Sequence, residues 1–194
     1  MGQPERYSRV YLLCTEMVVD AKGNHVFPNA NKDGAIHGEA RVHAARIILE
    51  KGLAPAIFPV GGIDKDGFDK VTETARMISE DEMKVQPLWS TRSTQGNAAV
   101  IHEHLAHNPP MQFVGYAQVG ILTQFHHLPR AMRMLHDQRQ HHIVPVCAEA
   151  ILLAYDREKW LPSIMEWYSA PEMTRRLIKE MEGAAAIENN SYGT

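Results

Sequence analysis

The chain is predicted to fold as one three-layer α/β/α domain around a mainly parallel five-stranded sheet. Short apolar runs alternate with stretches of helical periodicity from about residue 9 to residue 150. Strands that alternate with helices form βαβ units, which build a parallel sheet with helices on both faces. A chain of 194 residues with 44% hydrophobic content is long enough for one well-packed domain and short for two. We therefore treat residues 1–194 as a single domain.

The predicted strands are continuous apolar runs, as expected of strands covered on both faces. They are RVYLLCT (9–15), AIFPV (56–60), VQPLW (85–89), QVGILT (118–123) and HIVPVCA (142–148). After the first run, Lys22-Gly23-Asn24 separates two short apolar pieces, which indicates a small hairpin or a structured loop.

The intervening segments have helical periodicity, which predicts helices over about 36–51, 70–83, 95–107, 128–138 and 157–181. Gly52 is expected to cap the first helix at its C-terminus. The core thus covers about residues 9–150, followed by a C-terminal helical region over about 157–182. The tail from Gly183 onward, GAAAIENNSYGT, is expected to fray.

Composition excludes several classes of protein. A formal net charge of -3 with 22% charged residues is typical neither of a disordered chain nor of a charge-driven nucleic-acid binder. Cys14 and Cys147 lie in strand-like apolar runs and form no disulfide framework, which favours a reducing compartment. No apolar run reaches the roughly 18–20 residues of a membrane span, and the polar start MGQPERYSR lacks a signal-peptide core. We expect a cytoplasmic protein without nucleic-acid or membrane partners.

Polar and small residues follow the predicted strands at the edge where parallel sheets bind ligands. Gly61-Gly62 would let backbone amides approach a ligand closely. Thr94 lies at a helix start, whose free amides suit phosphate or carboxylate. Arg130, just inside a helix, could grip an oxyanion with two hydrogen bonds, and His127 could act as a general acid or base. The pattern favours a small anionic ligand.

Each of these features also has a structural interpretation. Gly-Gly after a strand is more often only a turn, Thr94 could simply cap its helix, and a lone histidine is more often structural. On its pattern alone, Glu73 is a solvated helix residue. Adjacent histidines on a strand point to opposite faces, and HExxH motifs and cysteine clusters are absent from the sequence. We therefore predict no metal site.

Four segments in order resemble the ElyC/SanA/YdcF family, a bacterial Rossmann-like domain. They are RVHAARIILEKG (41–52), IFPVGG (57–62), STRSTQGNA (90–98) and ILTQFHHLPRA (121–131). The His-x-Pro-Arg spacing selects His127 rather than His126. The chain departs from the family pattern at Gly96, where Glu is usual, at Gln124, where Ser is usual, and by a long insert between Val18 and Ile36.

The resemblance, together with the strand-end pattern, gives a set of candidate site residues. His127 and Glu73 are the candidate catalytic residues; Glu73 enters only because the family has a Glu at the start of this helix. The candidate ligand-binding residues are Arg41, Gly61, Gly62, Thr94, Asn97, Thr123 and Arg130.

Two functions remain open at this stage. The first is a hydrolase or transferase acting on a phosphorylated or nucleotide-like substrate. The second is a non-catalytic binder of a nucleotide or of S-adenosylmethionine. The missing GxGxxG fingerprint weakens a standard dinucleotide or methyltransferase interpretation. Whether the chain acts as a monomer or as a homo-oligomer is left open by the sequence.

Overall fold

The computed structural model describes residues 6–15, 17–27, 38–63, 67–91, 93–109, 118–135 and 142–188. Within these ranges the chain has seven strands and seven α-helices, in the order that the sequence predicts for a β/α alternation. The strands are β1 (Arg9–Leu13), β2 (Val18–Val19), β3 (His25–Val26), β4 (Ile57–Gly61), β5 (Leu88–Trp89), β6 (Gln118–Thr123) and β7 (His142–Cys147).

The helices are α1 (Gly38–Glu50), α2 (Lys70–Ile78), α3 (Thr94–His107), α4 (Leu128–Leu135), α5 (Ala148–Tyr155), α6 (Arg157–Ser169) and α7 (Pro171–Glu188). A short 3-10 helix, Phe125–His127, joins β6 to α4. None of the helices in the described part of the chain combines the length and apolarity that a bilayer crossing needs.

Five of the strands form one parallel sheet in the order β5-β4-β1-β6-β7. From the central strand β1 the chain first builds one side of the sheet, through β4 and β5. It then returns to the other side of β1 and adds β6 and β7. This order places the topological switch point between the carboxyl ends of β1 and β6, where sheets of this kind bind ligands.

Two hydrophobic clusters cover the two faces of the sheet, which confirms the predicted three-layer α/β/α fold. Val10 and Leu12 of β1 belong to one cluster, together with residues of α1, α5 and α6. Tyr11 and Leu13 point to the opposite face and pack with residues of α3 and α4. The alternation follows from the pleat of a strand, which sends successive side chains to opposite faces.

The predicted small hairpin is confirmed. β2 and β3 pair antiparallel, and Gly23 adopts a φ of 84° in the turn between them. The Asp20 side chain accepts hydrogen bonds from the amides of Lys22 and Asn24, at 2.8 and 2.9 Å, which fixes that turn. Much of the insert that precedes Ile36 lies outside the described residues.

Several predicted boundaries are wrong, most of them in the C-terminal third. The sequence assigns no helix to residues 148–155, whereas α5 starts directly from β7. The single helical region predicted over 157–181 consists of α6 and α7, which meet at Ala170. The tail expected to fray is helical as far as Glu188. The helix predicted over 70–83 ends at Ile78, and the third strand of the sheet is only Leu88–Trp89.

Gly52 ends α1 in the left-handed region, with a φ of 63°. Its amide donates to the Leu49 carbonyl at 3.1 Å, and the Leu53 amide donates to the Ile48 carbonyl at 2.9 Å. A residue with a Cβ atom is strained in this conformation by about 1 kcal/mol.

We predict that Gly52→Ala lowers the free energy of unfolding by about 1 kcal/mol, because alanine disfavours the left-handed conformation. Gly52→Asn is the matched control and should lose clearly less, since asparagine adopts this conformation more readily. Urea unfolding followed by circular dichroism measures both. Equal losses in the two variants would show that backbone strain is not the cause.

Candidate functional site

A buried arginine joins the two strand ends at the topological switch point. The Arg41 guanidinium, from α1, donates through Nη1 to the carbonyl of Leu13, the last residue of β1, at 2.5 Å. Through Nε and Nη2 it donates to Oε1 of Gln124, the residue after β6, at 3.0 and 2.6 Å. The predicted ligand residue Arg41 therefore lies in the crevice, and it already holds the crevice walls together.

The Arg41 side chain carries its charge in a site almost closed to water. It is 4% exposed. Burial lowers its pKa to about 10, the Arg176 charge adds to this effect, and the charges of Glu149 and Glu180 oppose it. The guanidinium therefore remains protonated at neutral pH. No carboxylate in the described ranges forms a direct ion pair with it.

His127 and Arg130 are held by a carboxylate that the sequence did not single out. Glu180 of α7 places Oε2 3.0 Å from Nδ1 of His127. Arg130 Nη2 donates to Oε1 of Glu180 at 3.1 Å, and its Nε lies 2.9 Å from Oε2. Arg130 Nη2 also lies 3.3 Å from Nδ1 of His127. One carboxylate thus contacts both predicted site residues.

The protonation states follow from burial and from these contacts. Burial lowers the pKa of His127 despite the opposing hydrogen bond to Glu180, so the imidazole is neutral at pH 7. Burial would raise the pKa of Glu180, but the hydrogen bond from His127 and the neighbouring positive charges outweigh it and lower the pKa. Because the shorter contact at Nδ1 is to an ionised acceptor, we assign the proton to Nδ1. The Nε2 lone pair is then available as a base.

Two further polar side chains at this edge are buried and have no hydrogen-bond partner among the described residues. Both ring nitrogens of His126 and Oγ1 of Thr123 are in this state, and the two residues are 2% and 0% exposed. Burial, together with the charges of Arg41 and Arg176, lowers the pKa of His126 to about 2. Buried unpaired polar atoms destabilise a protein, and native structures contain few of them.

A second carboxylate holds the 3-10 helix in place. Glu149, at the start of α5, accepts hydrogen bonds from the Phe125 amide at 3.0 Å and from the Tyr168 hydroxyl at 2.7 Å. The Cys147 thiol donates to the same carboxylate at 3.2 Å. Burial, reinforced by the Glu149 charge, raises the pKa of both Tyr168 and Cys147, so both remain protonated. The backbone that carries His126 and His127 is therefore tied to α5 and α6.

Helix α7 crosses this edge of the sheet from one layer to the other. Near its start, Met173 is 2% exposed and packs in the hydrophobic cluster of the first face. Further along, Glu180 contacts His127 and Arg130, at the start of α4 on the second face. An ideal Cβ built on Gly183 would lie 2.9 Å from Cδ of Arg130, so only glycine fits this approach without a shift. The C-terminal helix therefore covers the crevice.

The other predicted site residues lie on a separate part of the edge. Gly61 packs against Cys14 and Val71, at 3.0 and 3.3 Å from an ideal Cβ, and Gly62 follows it. Asn97 accepts a short hydrogen bond from Ser90. In the described ranges, no hydrogen bond or ion pair joins Gly61, Gly62, Glu73, Thr94 or Asn97 to the cluster around Gln124–His127.

Glu73 lies in the first turn of α2 and is partly exposed. Its carboxylate is 3.7 Å from Arg76 Nη1, one turn further along the same helix. This placement matches the solvated helix residue expected from its pattern alone. Thr94 begins α3, but the capping side chain is Ser93, which accepts a hydrogen bond from the Gly96 amide at 2.9 Å. A Cβ at Gly96 would lie 1.8 Å from Oγ1 of Thr91, so this turn leaves no room for a side chain at position 96.

Gln124, Arg176 and Glu180 are not among the residues that the sequence predicts for the site. In α7 the inward positions Met173, Leu177, Glu180 and Ala184 repeat every three or four residues. A carboxylate within this otherwise apolar stripe is the one sequence signal that could have identified Glu180.

Over the described ranges, no group of three or more His, Cys, Asp or Glu side chains is arranged to hold a metal ion. Comparison with protein-family models, with curated proteins and with solved structures gives no match.

We predict that His126→Leu makes the unfolding free energy less sensitive to pH below about pH 6. In the folded protein the pKa of His126 is lowered to about 2, whereas an unfolded histidine titrates near ~6.5. As the pH falls through that value, the unfolded state binds a proton that the folded state does not bind, so the unfolding free energy decreases.

His126→Leu should remove nearly one proton from the difference in proton binding between the unfolded and the folded state. The slope of the unfolding free energy against pH should therefore fall by about 1.4 kcal/mol per pH unit. Urea unfolding at pH 7, 6 and 5 measures the slope, and His107→Leu, a matched change at an exposed position of α3, is the control. The same slope in His126→Leu and in the unmodified protein would mean that the buried imidazole does accept a proton.

Proposed function

We propose that this protein is a small-molecule hydrolase or transferase that acts on a phosphorylated or nucleotide-like substrate at the carboxyl edge of the sheet. One observation supports this most directly, namely the excess of positive charge around the neutral His127. Among the described residues, three guanidinium groups, those of Arg41, Arg130 and Arg176, face two carboxylates, those of Glu149 and Glu180.

A buried excess of positive charge favours an anionic ligand. An uncompensated charge in a protein interior is unfavourable, and an anion that enters such a site relieves it. The side chains around the Gln124–His127 segment are rich in donors, because guanidinium groups donate and never accept hydrogen bonds. Each charge-assisted hydrogen bond contributes about 1.5–3 kcal/mol, so two or three of them bind a small oxyanion usefully.

His127 supplies the group for acid-base chemistry. Its neutral imidazole can remove a proton through Nε2 from a water or from an acceptor hydroxyl as that oxygen attacks the substrate. The guanidinium groups would stabilise the negative charge that develops on the transferred group. The leaving oxygen departs on the opposite side of the phosphorus and takes its proton from water, and the imidazolium returns its proton to solvent. Hydrolysis or transfer is then complete without a covalent intermediate.

Membership of the ElyC/SanA/YdcF family is part of this proposal. It is supported by the four ordered sequence segments and by the parallel sheet order that brings two of them, at Arg41 and at His127–Arg130, to one crevice. In the described ranges the second group of family positions, around Gly61 and Asn97, makes no direct contact with this crevice. It could contact a different part of a nucleotide-sized substrate.

One observation favours a non-catalytic nucleotide or S-adenosylmethionine binder as the alternative. His127 is only 9% exposed and its Nδ1 is already bound by Glu180, so the base is enclosed rather than open to a reacting group. The positive surroundings favour the phosphate of a nucleotide over the cationic sulfonium group of S-adenosylmethionine.

A comparison of two variants tests this proposal. Nucleotides and sugar phosphates, with and without Mg²⁺, are screened for turnover by product analysis and for binding by calorimetry. We expect His127→Gln to lower turnover by about 10²–10⁴-fold while binding changes little. Arg130→Gln should weaken binding by about tenfold or more, since it removes a charged donor.

His107→Gln, at an exposed position of α3, is the matched control and should behave as the unmodified protein does. Binding without turnover in every protein would favour the non-catalytic alternative. Binding of no anion, or undiminished turnover in His127→Gln, would refute the proposed enzyme.

A further inference from the structure

Three polar residues at the crevice are nearly closed off from solvent. Arg41, His126 and His127 are 4%, 2% and 9% exposed. Helix α7 contacts both the 3-10 helix and α4, and its Glu180 occupies the contacts of His127 Nδ1 and of Arg130. An anion cannot take these contacts while Glu180 holds them, so this conformation is a closed one.

The Glu180 carboxylate makes the contacts that a substrate oxyanion would make. Its Oε1 accepts a hydrogen bond from Nη2 of Arg130 at 3.1 Å, and its Oε2 lies 2.9 Å from Nε in an ion-pair contact without hydrogen-bond geometry. Oε2 also lies 3.0 Å from Nδ1 of His127. Arginine recognises phosphate and carboxylate groups through charge-assisted contacts of the same kind.

We infer that Glu180 is an internal occupant of an anion site formed by His127 and Arg130, and that α7 must move to let an external oxyanion take its place. The identity of that oxyanion, a phosphoryl group, rests on the proposed function. The contact of Glu180 with His127 and Arg130, which we call the latch, does not rest on the proposed function, because it follows from the contacts of α7 alone.

The composition of α7 makes Glu180 the strongest attachment of its C-terminal half. Met173 anchors the start of the helix in the core, and the bend at Ala170 separates it from α6. After Glu180 the inward positions are the small residues Gly183, Ala184 and Ala186, followed by the half-buried Ile187, so this half of the helix buries little apolar surface before its last turn. Ile178 and Met181 point outward and are 51% and 70% exposed. The start of α7 therefore acts as a pivot, and its C-terminal half is the part that can open.

Neighbouring positive charges also stabilise the latch. Arg176, one turn before Glu180, and Arg130 both favour the ionised form of Glu180. An anion that enters would meet the same two cations. Exchange of one anion for another therefore keeps the charge of the crevice nearly constant, and the exchange need not expose a bare guanidinium cluster.

Glu180→Gln tests the inference, with Glu182→Gln as the matched control at an exposed position of the same helix. Hydrogen exchange measured by mass spectrometry reports the opening of α7, and calorimetry with inorganic phosphate reports the anion site. In Glu180→Gln we expect exchange of the 176–188 amides to rise about tenfold or more and phosphate to bind about tenfold more tightly. Glu182→Gln should change neither.

Gly183→Ala is a second variant that leaves every charged group in place. Its Cβ would lie 2.9 Å from Cδ of Arg130, so it should push α7 away from the latch and raise both exchange and phosphate affinity. Because this variant keeps the Glu180 carboxylate, it distinguishes the effect of opening the helix from the effect of losing the Glu180 charge.

Unchanged exchange in both latch variants would overturn the inference, as would weaker phosphate binding in Glu180→Gln. Raised exchange without phosphate binding to any of the proteins would overturn the anion site. If phosphate binds more tightly to the latch variants but no phosphorylated compound is turned over, the inference stands and the proposed enzyme fails.

Discussion

The hydrogen bonds of one buried guanidinium fix the relation between the two halves of this fold. The chain leaves β1 toward β4 and leaves β6 toward β7, so the connections after these two neighbouring strands run in opposite directions from the switch point. Arg41 joins the two strand ends by donating hydrogen bonds to the Leu13 carbonyl at the end of β1 and to Gln124 after β6. The position of the 3-10 helix, and hence of both adjacent histidines, depends on this bridge.

The cluster around this bridge is arranged in two carboxylate-centred networks. Glu149 fixes the backbone at Phe125 through neutral donors, whereas Glu180 binds the ionic and basic side chains of Arg130 and His127. The first network is composed of groups that remain protonated and is suited to a constant structural role. The second network joins charged and basic side chains of elements that are far apart in the chain. Burial strengthens such pairs, but another anion can replace the carboxylate.

The fold could be predicted from the sequence because its strands are continuous apolar runs, and that signal is local. β6 is the clearest case, since the predicted and observed strands coincide at 118–123. The missed helix α5 follows β7 without a polar break and is itself mostly apolar, so no change in periodicity marks its start. Of the predicted site, Arg41, Thr123, His127 and Arg130 gather at one crevice, because strand ends and helix starts fix their positions. Glu180 is 53 residues from His127 in the chain, and no local pattern reports a contact over such a distance.

The order of the elements along the chain has a consequence for biosynthesis. All five strands of the sheet and both walls of the crevice precede α6 and α7 in the chain. On the ribosome, where N-terminal segments emerge and fold first, the sheet can therefore assemble while its covering helix is still being made. The newly formed crevice is then briefly accessible, with its guanidinium groups facing the cellular anions before their internal carboxylate arrives. A small oxyanion bound at that moment would lie between Arg130 and His127, in the position that Glu180 takes when the helix arrives.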